Sequence, residues 1–399
     1  MTTLAFRKLG WGLLASVSLC LLCGQLSSSS FAADNLDLQR ARQLREKQKS
    51  GRALTTEEKV LLNQARSQLN KDAAGASKRS QKPGRDVADE GFNPKTKAQQ
   101  LQGLYIGPWK DSGPWKPQKL GTVNSQYKTF YSKTIGQEVS YDIYFPPDYD
   151  KDKGRRFPVV YWLHGSGGNQ KTGSTGDGNV LETYARALRE NAAPQMIYVF
   201  VNGLVNSFYV DSQKALVESV IVKDLIPHVD QAYRTITRRE GRGVEGHSMG
   251  GFGAAHLGFK YPELFGVVSI HSGAFVFPGV DTLAAAAAFE FIFGDDQVFF
   301  KANDPFELVK KNAGLIRDRT RIRILHGSKE STWAMARWEA LSELLTSLGI
   351  KYDRLIVDVA GGKAGEYSSI KNHSFRKHYL ILGPAKSFEF YQRAFADVK

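Results

Sequence analysis

The stretch Gly243–Gly258, GVEGHSMGGFGAAHLG, decides how this sequence is read. At its centre Gly246 and Gly250 frame Ser248 in the pattern G-x-S-x-G, with a short run, RGVEG, before it and a helix-forming segment after it. A serine placed where a strand turns sharply into a helix sits on a strained backbone, and the flanking glycines remove side chains that would collide there. Such a corner projects the hydroxyl outward at a helix N-terminus, where backbone N–H groups can stabilise a developing oxyanion. The pattern therefore predicts a nucleophile.

The segments around the corner predict its setting. FPVVYWLHG, QMIYVFVNG, FGVVSIHSG, RIRILHGS and DRLIVDVAGG are short, nearly continuous apolar runs ending in glycine or small polar residues. Strands covered on both faces read this way. Helix-length segments such as LVESVIVKDLIPHVDQAY and WEALSELLTSLG separate them. Before them, GQEVSYDIYFPPDY alternates apolar and polar residues and ends in two prolines, as a half-buried antiparallel strand does. The expected fold is α/β: a sandwich of helices on a mostly parallel central sheet, preceded by a short helical and disordered N-terminal segment. In such sheets the working residues gather beyond the carboxyl ends of the strands.

A serine hydroxyl is a weak nucleophile at neutral pH and needs a base and an orienting acid. On this fold the chain order is serine, acid, histidine. Glu330 follows the run RIRILHGS, and His373 follows the last strand, at the start of a closing helix that also carries His378. His373 is the expected base and Glu330 the expected acid. Asp295, Asp296 and Asp358 compete for the acid's role. The glycine-rich loop WLHGSGGN supplies the second half of an oxyanion hole, with the N–H of Ser166 beside that of Met249. It lacks the lysine and hydroxyl pair of a phosphate-binding loop. No two histidines stand at metal-binding spacing, so neither a metal nor a cofactor is expected.

The chain has 399 residues and a formal net charge of +14, densest per residue in its first hundred. Residues 1–32 order basic, apolar and small residues as a secretory signal peptide cleaved after Ala32 does. Both cysteines, Cys20 and Cys23, lie within it, which leaves the expected mature chain without disulfides or a thiol nucleophile. Residues 33–70 read as a pair of short helices, 71–100 as a basic linker and 101–399 as the catalytic domain. The protein is thus expected to be exported, periplasmic or extracellular, with no stable membrane insertion after cleavage and no nucleic-acid partner. Its expected substrate is a small-molecule or polysaccharide ester. Phe208 and Tyr209, with Trp109 and Trp115, are candidates to stack on sugars or aromatic acyl groups.

Together VSYDIYFPPDYD, RRFPVVYWLHGSGGN, the extended elbow GHSMGGFGA and LHGSKE resemble the esterase D or putative-esterase family of α/β-hydrolases, over about residues 120–398. That family includes feruloyl and acetylxylan esterases, S-formylglutathione hydrolases and mycolyltransferases. The resemblance implies Ser248 as nucleophile, His373 as base and the amides of Ser166 and Met249 as oxyanion donors. The family's acid is usually aspartate, so Glu330 is a departure. The implied reaction is hydrolysis of carboxylic esters through an acyl-enzyme. An acyltransferase of the same fold, or a catalytically silent wall- or carbohydrate-binding protein, would share most of this pattern.

Overall fold

The computed structural model describes residues 106–111, 125–174, 180–275, 290–294, 296–330, 332–358 and 373–398. All fall in the compact unit Pro94–Lys399. The expected signal peptide, helical pair and linker lie outside them, as do Trp115 and Asp295.

Eight strands form one sheet: β1 (Gln126–Ser132), β2 (Gln137–Tyr144), β3 (Val159–Leu163), β4 (Ile197–Val201), β5 (Arg242–His247), β6 (Val267–His271), β7 (Arg321–Gly327) and β8 (Asp353–Val357). Their order across the sheet is β1-β2-β4-β3-β5-β6-β7-β8. β1 and β2 pair antiparallel, β2 meets β4 antiparallel, and β3 to β8 run parallel. Every residue of β3 (VVYWL) and β4 (IYVFV) is buried, which is why both read as unbroken apolar runs. β1 is the strand that the sequence did not announce. Its residues, QYKTFYS, are mostly half-exposed and carry little alternation, so pairing with β2 rather than pattern makes it a strand.

Helices cover both faces. On one, Met249–Lys260 packs against β5 and β6, with Val217–Ser219 leading through a wide π-turn, Val220–Leu225, into Ile226–Ala232. On the other, Val180–Arg189 packs against the C-terminal helix Phe375–Phe395. That last helix bends at Gly383 (φ 73°) and Pro384.

Beneath the elbow the register brings Glu245 of β5, Ser269 of β6 and Arg323 of β7 side by side. Arg323 donates to Glu245 Oε1 at 3.0 Å and to Ser269 Oγ at 3.0 Å, and Tyr379 on the C-terminal helix donates to the same glutamate oxygen at 2.6 Å. Arg323 also caps the carbonyl of Ser387, past the bend, at 2.6 Å. A buried charge pair this well hydrogen-bonded locks three strands and a helix together. Removing one partner from such a pair costs about 3–5 kcal/mol.

Candidate active site

Residues from five strand ends converge beyond the carboxyl edge of the sheet. Ser248 follows β5 with φ 57° and ψ −117°, a strained conformation for a residue bearing a Cβ. It is held there from both sides. Its N–H donates to the His271 carbonyl at 3.0 Å, and its carbonyl accepts from Ala274 at 2.9 Å and Phe252 at 3.0 Å. The glycines of the motif are explained by distances: a Cβ on Gly246 would lie 2.0 Å from the Gly250 carbonyl oxygen, and one on Gly250 would lie 2.0 Å from that of Leu163. Met249 opens the helix after Ser248, which places its amide at the helix N-terminus.

The loop after β3 carries Ser166. His164, fully buried, shapes this loop: its Nδ1 donates to the Gly165 carbonyl at 2.8 Å while its Nε2 accepts from the Gly203 amide at 3.2 Å. A ring that accepts at Nε2 must be neutral, and burial pushes its pKa down to about 4. Gly165 packs against Ser248, since a Cβ on it would be 3.4 Å from the serine Cβ. The amides of Gly167 and Gly168 are taken by Val205 and Gly165 carbonyls, at 2.9 and 3.1 Å.

Glu330, in the loop after β7, receives Nδ1–H of His373 on Oε2 at 2.5 Å. Its other oxygen accepts from Ser272 Oγ at 2.6 Å and from the Gly327 amide at 3.0 Å. The Glu330 side chain is 2% exposed and that of His373 38%, so the acid is sealed while the imidazole remains reachable. Burial alone would raise the Glu330 carboxyl. The His373 hydrogen bond and charge, with the Ser272 and Gly327 donors, outweigh it and hold the pKa below the usual glutamate value. Against His373 lies the ring of His247, the residue before Ser248, with centroids 4.6 Å apart. Among the described residues no hydrogen bond joins Ser248 Oγ to His373, a contact that often closes only when substrate is bound.

The two described competitors for the acid's role, Asp296 and Asp358, have other partners. Asp296 caps the helix Gln297–Asn303 by accepting from the Phe299 amide, and Asp358 accepts from Ser328 Oγ at 3.3 Å. His378 is buried, and its Nδ1 shares a 2.6 Å hydrogen bond with His271 Nε2. Ser272 was missed by sequence reasoning. It follows β6, next to the elbow strand, with a left-handed φ of 46°, and the rule that chemistry gathers at carboxyl ends points to its neighbourhood without singling it out.

The expected stacking faces of Phe208 and Tyr209 are corrected by the structure. Both have positive φ, 52° and 59°, which turns their rings inward, and they are 1% and 0% exposed. Tyr209 donates to the His164 carbonyl at 2.9 Å and fills the space over Gly203 and Gly253, where a Cβ would come within 2.0 and 2.4 Å of its ring. Phe208 packs edge-on against Phe252, with centroids 5.3 Å apart. Both rings brace the loops from beneath. Two surface depressions of about 420 and 710 Å³ open at the opposite, amino ends of the strands and touch none of these residues.

A mostly parallel sheet with a serine on a sharp strand-to-helix turn defines an α/β-hydrolase fold. The chain belongs to the putative esterase family, whose model matches residues 132–372, more than half of its length. It is 28% identical over 211 residues to an endo-1,4-beta-xylanase/feruloyl esterase of Xylanibacter ruminicola, covering 49% of this chain and 29% of that protein. It is 31% identical over 153 residues to an esterase of Mycobacterium tuberculosis, covering 37% of this chain and 32% of that one. The chain thus spans about a third of the length of these curated relatives. Among solved structures, a ferulic acid esterase superposes with a TM-score of 0.55 at 20% identity, covering 69% of this chain and 100% of that one. An S-formylglutathione hydrolase from Agrobacterium tumefaciens gives 0.52 at 19% identity, covering 68% and 95%. These likenesses define the fold. Among the described residues no helix is long and apolar enough to cross a membrane.

Proposed function

We propose that the protein is an exported serine carboxylic-ester hydrolase with Ser248, His373 and Glu330 as its triad. The observation that carries this reading is the His373–Glu330 hydrogen bond, sealed on the acid's side and open on the base's, at the same sheet edge as the strained Ser248 corner. His373 Nε2 takes the proton of Ser248 Oγ as that oxygen attacks the ester carbonyl. Glu330 fixes the ring's tautomer through Nδ1–H and balances the charge of the imidazolium. The amides of Ser166 and Met249 receive the oxyanion, the alcohol leaves with the proton from His373, and water then releases the acyl group. Esters of hydroxycinnamic acids or acylated polysaccharides are the proposed substrates. The feruloyl esterase named among the relatives supports that choice.

The test is labelling with a fluorophosphonate followed by peptide mass spectrometry, alongside initial rates on methyl ferulate and p-nitrophenyl acetate. Label on Ser248 with turnover of either ester supports the reading; label elsewhere, or none together with no turnover, sinks it. Transfer to an added acceptor alcohol in place of release to water would reassign the enzyme as an acyltransferase.

Glu330→Gln removes the charge but keeps the shape, and is expected to lower kcat by about 10⁴-fold, as loss of the orienting acid does in other triads. Its stability effect has a definite sign. A carboxyl whose folded-state pKa is depressed adds stability that is present above the ordinary glutamate value of about 4.3 and is lost as pH falls through the folded value. Denaturation of wild type and Glu330→Gln should therefore differ at pH 7 and converge as the pH drops below about 4.

A further inference from the structure

Beside the sheet edge, on the flank of β2, lies a polar pocket that the esterase chemistry leaves unused. Ser140 and Asp142 are two apart on one face of β2, and Gln170 and Ser174 are one turn apart on the helix Gln170–Ser174 that covers it. Gln170 Nε2 donates to Ser140 Oγ at 3.0 Å, and Ser174 Oγ donates to Asp142 Oδ2 at 2.6 Å. The segment 106–111 closes the pocket from above. The Asp111 amide donates to Ser140 Oγ at 3.2 Å, and Tyr127, opposite Asp142 in the register, donates to the Asp111 carbonyl at 2.8 Å.

After these bonds are made, three buried oxygens have no donor: Asp111 Oδ2, Asp142 Oδ1 and Gln170 Oε1. Gln170 is 0% exposed and Asp142 3%. The three side chains are neighbours, because the Gln170 amide lies against the Asp111 carboxyl and the charge of Asp111 is felt by Asp142. The charge of Lys171 also reaches Asp142 but weighs less than that of Asp111. Buried acceptors without donors are costly, and two carboxylates near enough to feel one another's charge are costlier.

From this arrangement we infer that Asp111, Asp142 and Gln170 form a binding site for a hard, oxygen-seeking cation, with Ca²⁺ the ion that fits. The donor set is carboxylate and amide oxygen, with hydroxyls nearby, and it lacks nitrogen or sulfur. Ca²⁺ accepts irregular oxygen shells, whereas Mg²⁺ demands near-ideal octahedral geometry and Zn²⁺ favours histidine and cysteine. Among the described residues no three His, Cys, Asp or Glu side chains gather at one point, so the amide oxygen is essential to the site. Histidine spacing predicts no metal, and oxygen ligands drawn from a loop, a strand and a helix leave no such spacing to read. The ion would pin the segment 106–111, whose Trp109 carbonyl accepts from Asn202 at 2.9 Å, to the helix that follows the Ser166 loop.

The inference does not rest on ester hydrolysis, and its test reads binding and stability. Protein stripped with a chelator is titrated with CaCl₂ by calorimetry, and its melting is followed in excess CaCl₂ or EDTA. One bound ion per chain and a rise of the midpoint on the order of 5 °C are expected. Both should vanish in Asp142→Asn and in Asp111→Asn, and persist in Asp152→Asn, an exposed turn carboxylate elsewhere. Should Asp142→Asn fail to fold, the partly exposed Asp111 carries the comparison. No heat and no shift in the wild type would leave the pocket to water and overturn the site; an undiminished shift in both variants would place the ion elsewhere and overturn it equally.

Discussion

Ser248→Ala is expected to lower kcat/KM for p-nitrophenyl acetate by about 10⁴-fold or more while leaving the melting midpoint unchanged. The two halves of that expectation have separate causes. In the proposed mechanism the hydroxyl is the atom that forms the acyl bond, so nothing replaces it except attack by water at a site still able to stabilise an oxyanion. The bonds that hold the corner are all main-chain: Ser248 N–H to His271, and the Ser248 carbonyl from Ala274 and Phe252. Alanine keeps every one of them. Residual activity close to wild type would remove Ser248 from the mechanism, and a large drop in melting would show that the side chain holds the fold as well. Alanine at His373 tests the same chemistry from the other side and should fail to the same degree, because members of one triad act as a unit.

Gly250→Ala should be, with Gly246→Ala, among the most damaging single methyls in the described residues. Its Cβ would stand 2.0 Å from the Leu163 carbonyl oxygen and 2.7 Å from that of His164, and neither atom is the free end of a side chain. The backbone of β3 or of the helix Met249–Lys260 must therefore move. We expect a loss of about 4 kcal/mol or failure to fold, which a urea titration would read. Any soluble fraction should have lost turnover, since the displaced strand end carries the Ser166 loop. Gly314→Ala is the control: a Cβ there meets nothing within 4 Å, and its effect should stay within about 0.5 kcal/mol. A Gly250→Ala protein as stable as wild type would mean that the elbow is looser than the described geometry.

Much of this was legible because the physics that builds the sheet also writes the sequence. β3, β4, β6 and β7 are buried along nearly their whole length, so their apolar runs stand out, and the elbow glycines stand out because the corner tolerates no alternative. Chain order put Glu330 forward as a partner for His373, and the structure sets its carboxylate against that ring, with the longer side chain met by Ser272 and Gly327. Other features leave no local trace. β1 is half-exposed and weakly patterned. The inward turn of Phe208 and Tyr209 depends on two left-handed backbone angles, and residue type alone made them look like a surface for sugars. Ser272 is one small residue among many, and its role exists only because β6 lies beside β5 and β7. The pocket of Asp111, Asp142 and Gln170 joins three distant segments and follows no spacing.

The left-handed angle at Ser248 also sets activity against endurance. A residue with a Cβ held at φ 57° and ψ −117° costs on the order of 1–3 kcal/mol, and glycine would escape that cost while giving back part of it through a freer unfolded chain. Ser248→Gly is therefore expected to be more stable than both the wild type and Ser248→Ala by about 1 kcal/mol, and inert. As the proposed nucleophile, Ser248 occupies a position that a protein selected only to persist would surrender, so working and merely lasting pull against each other at that residue.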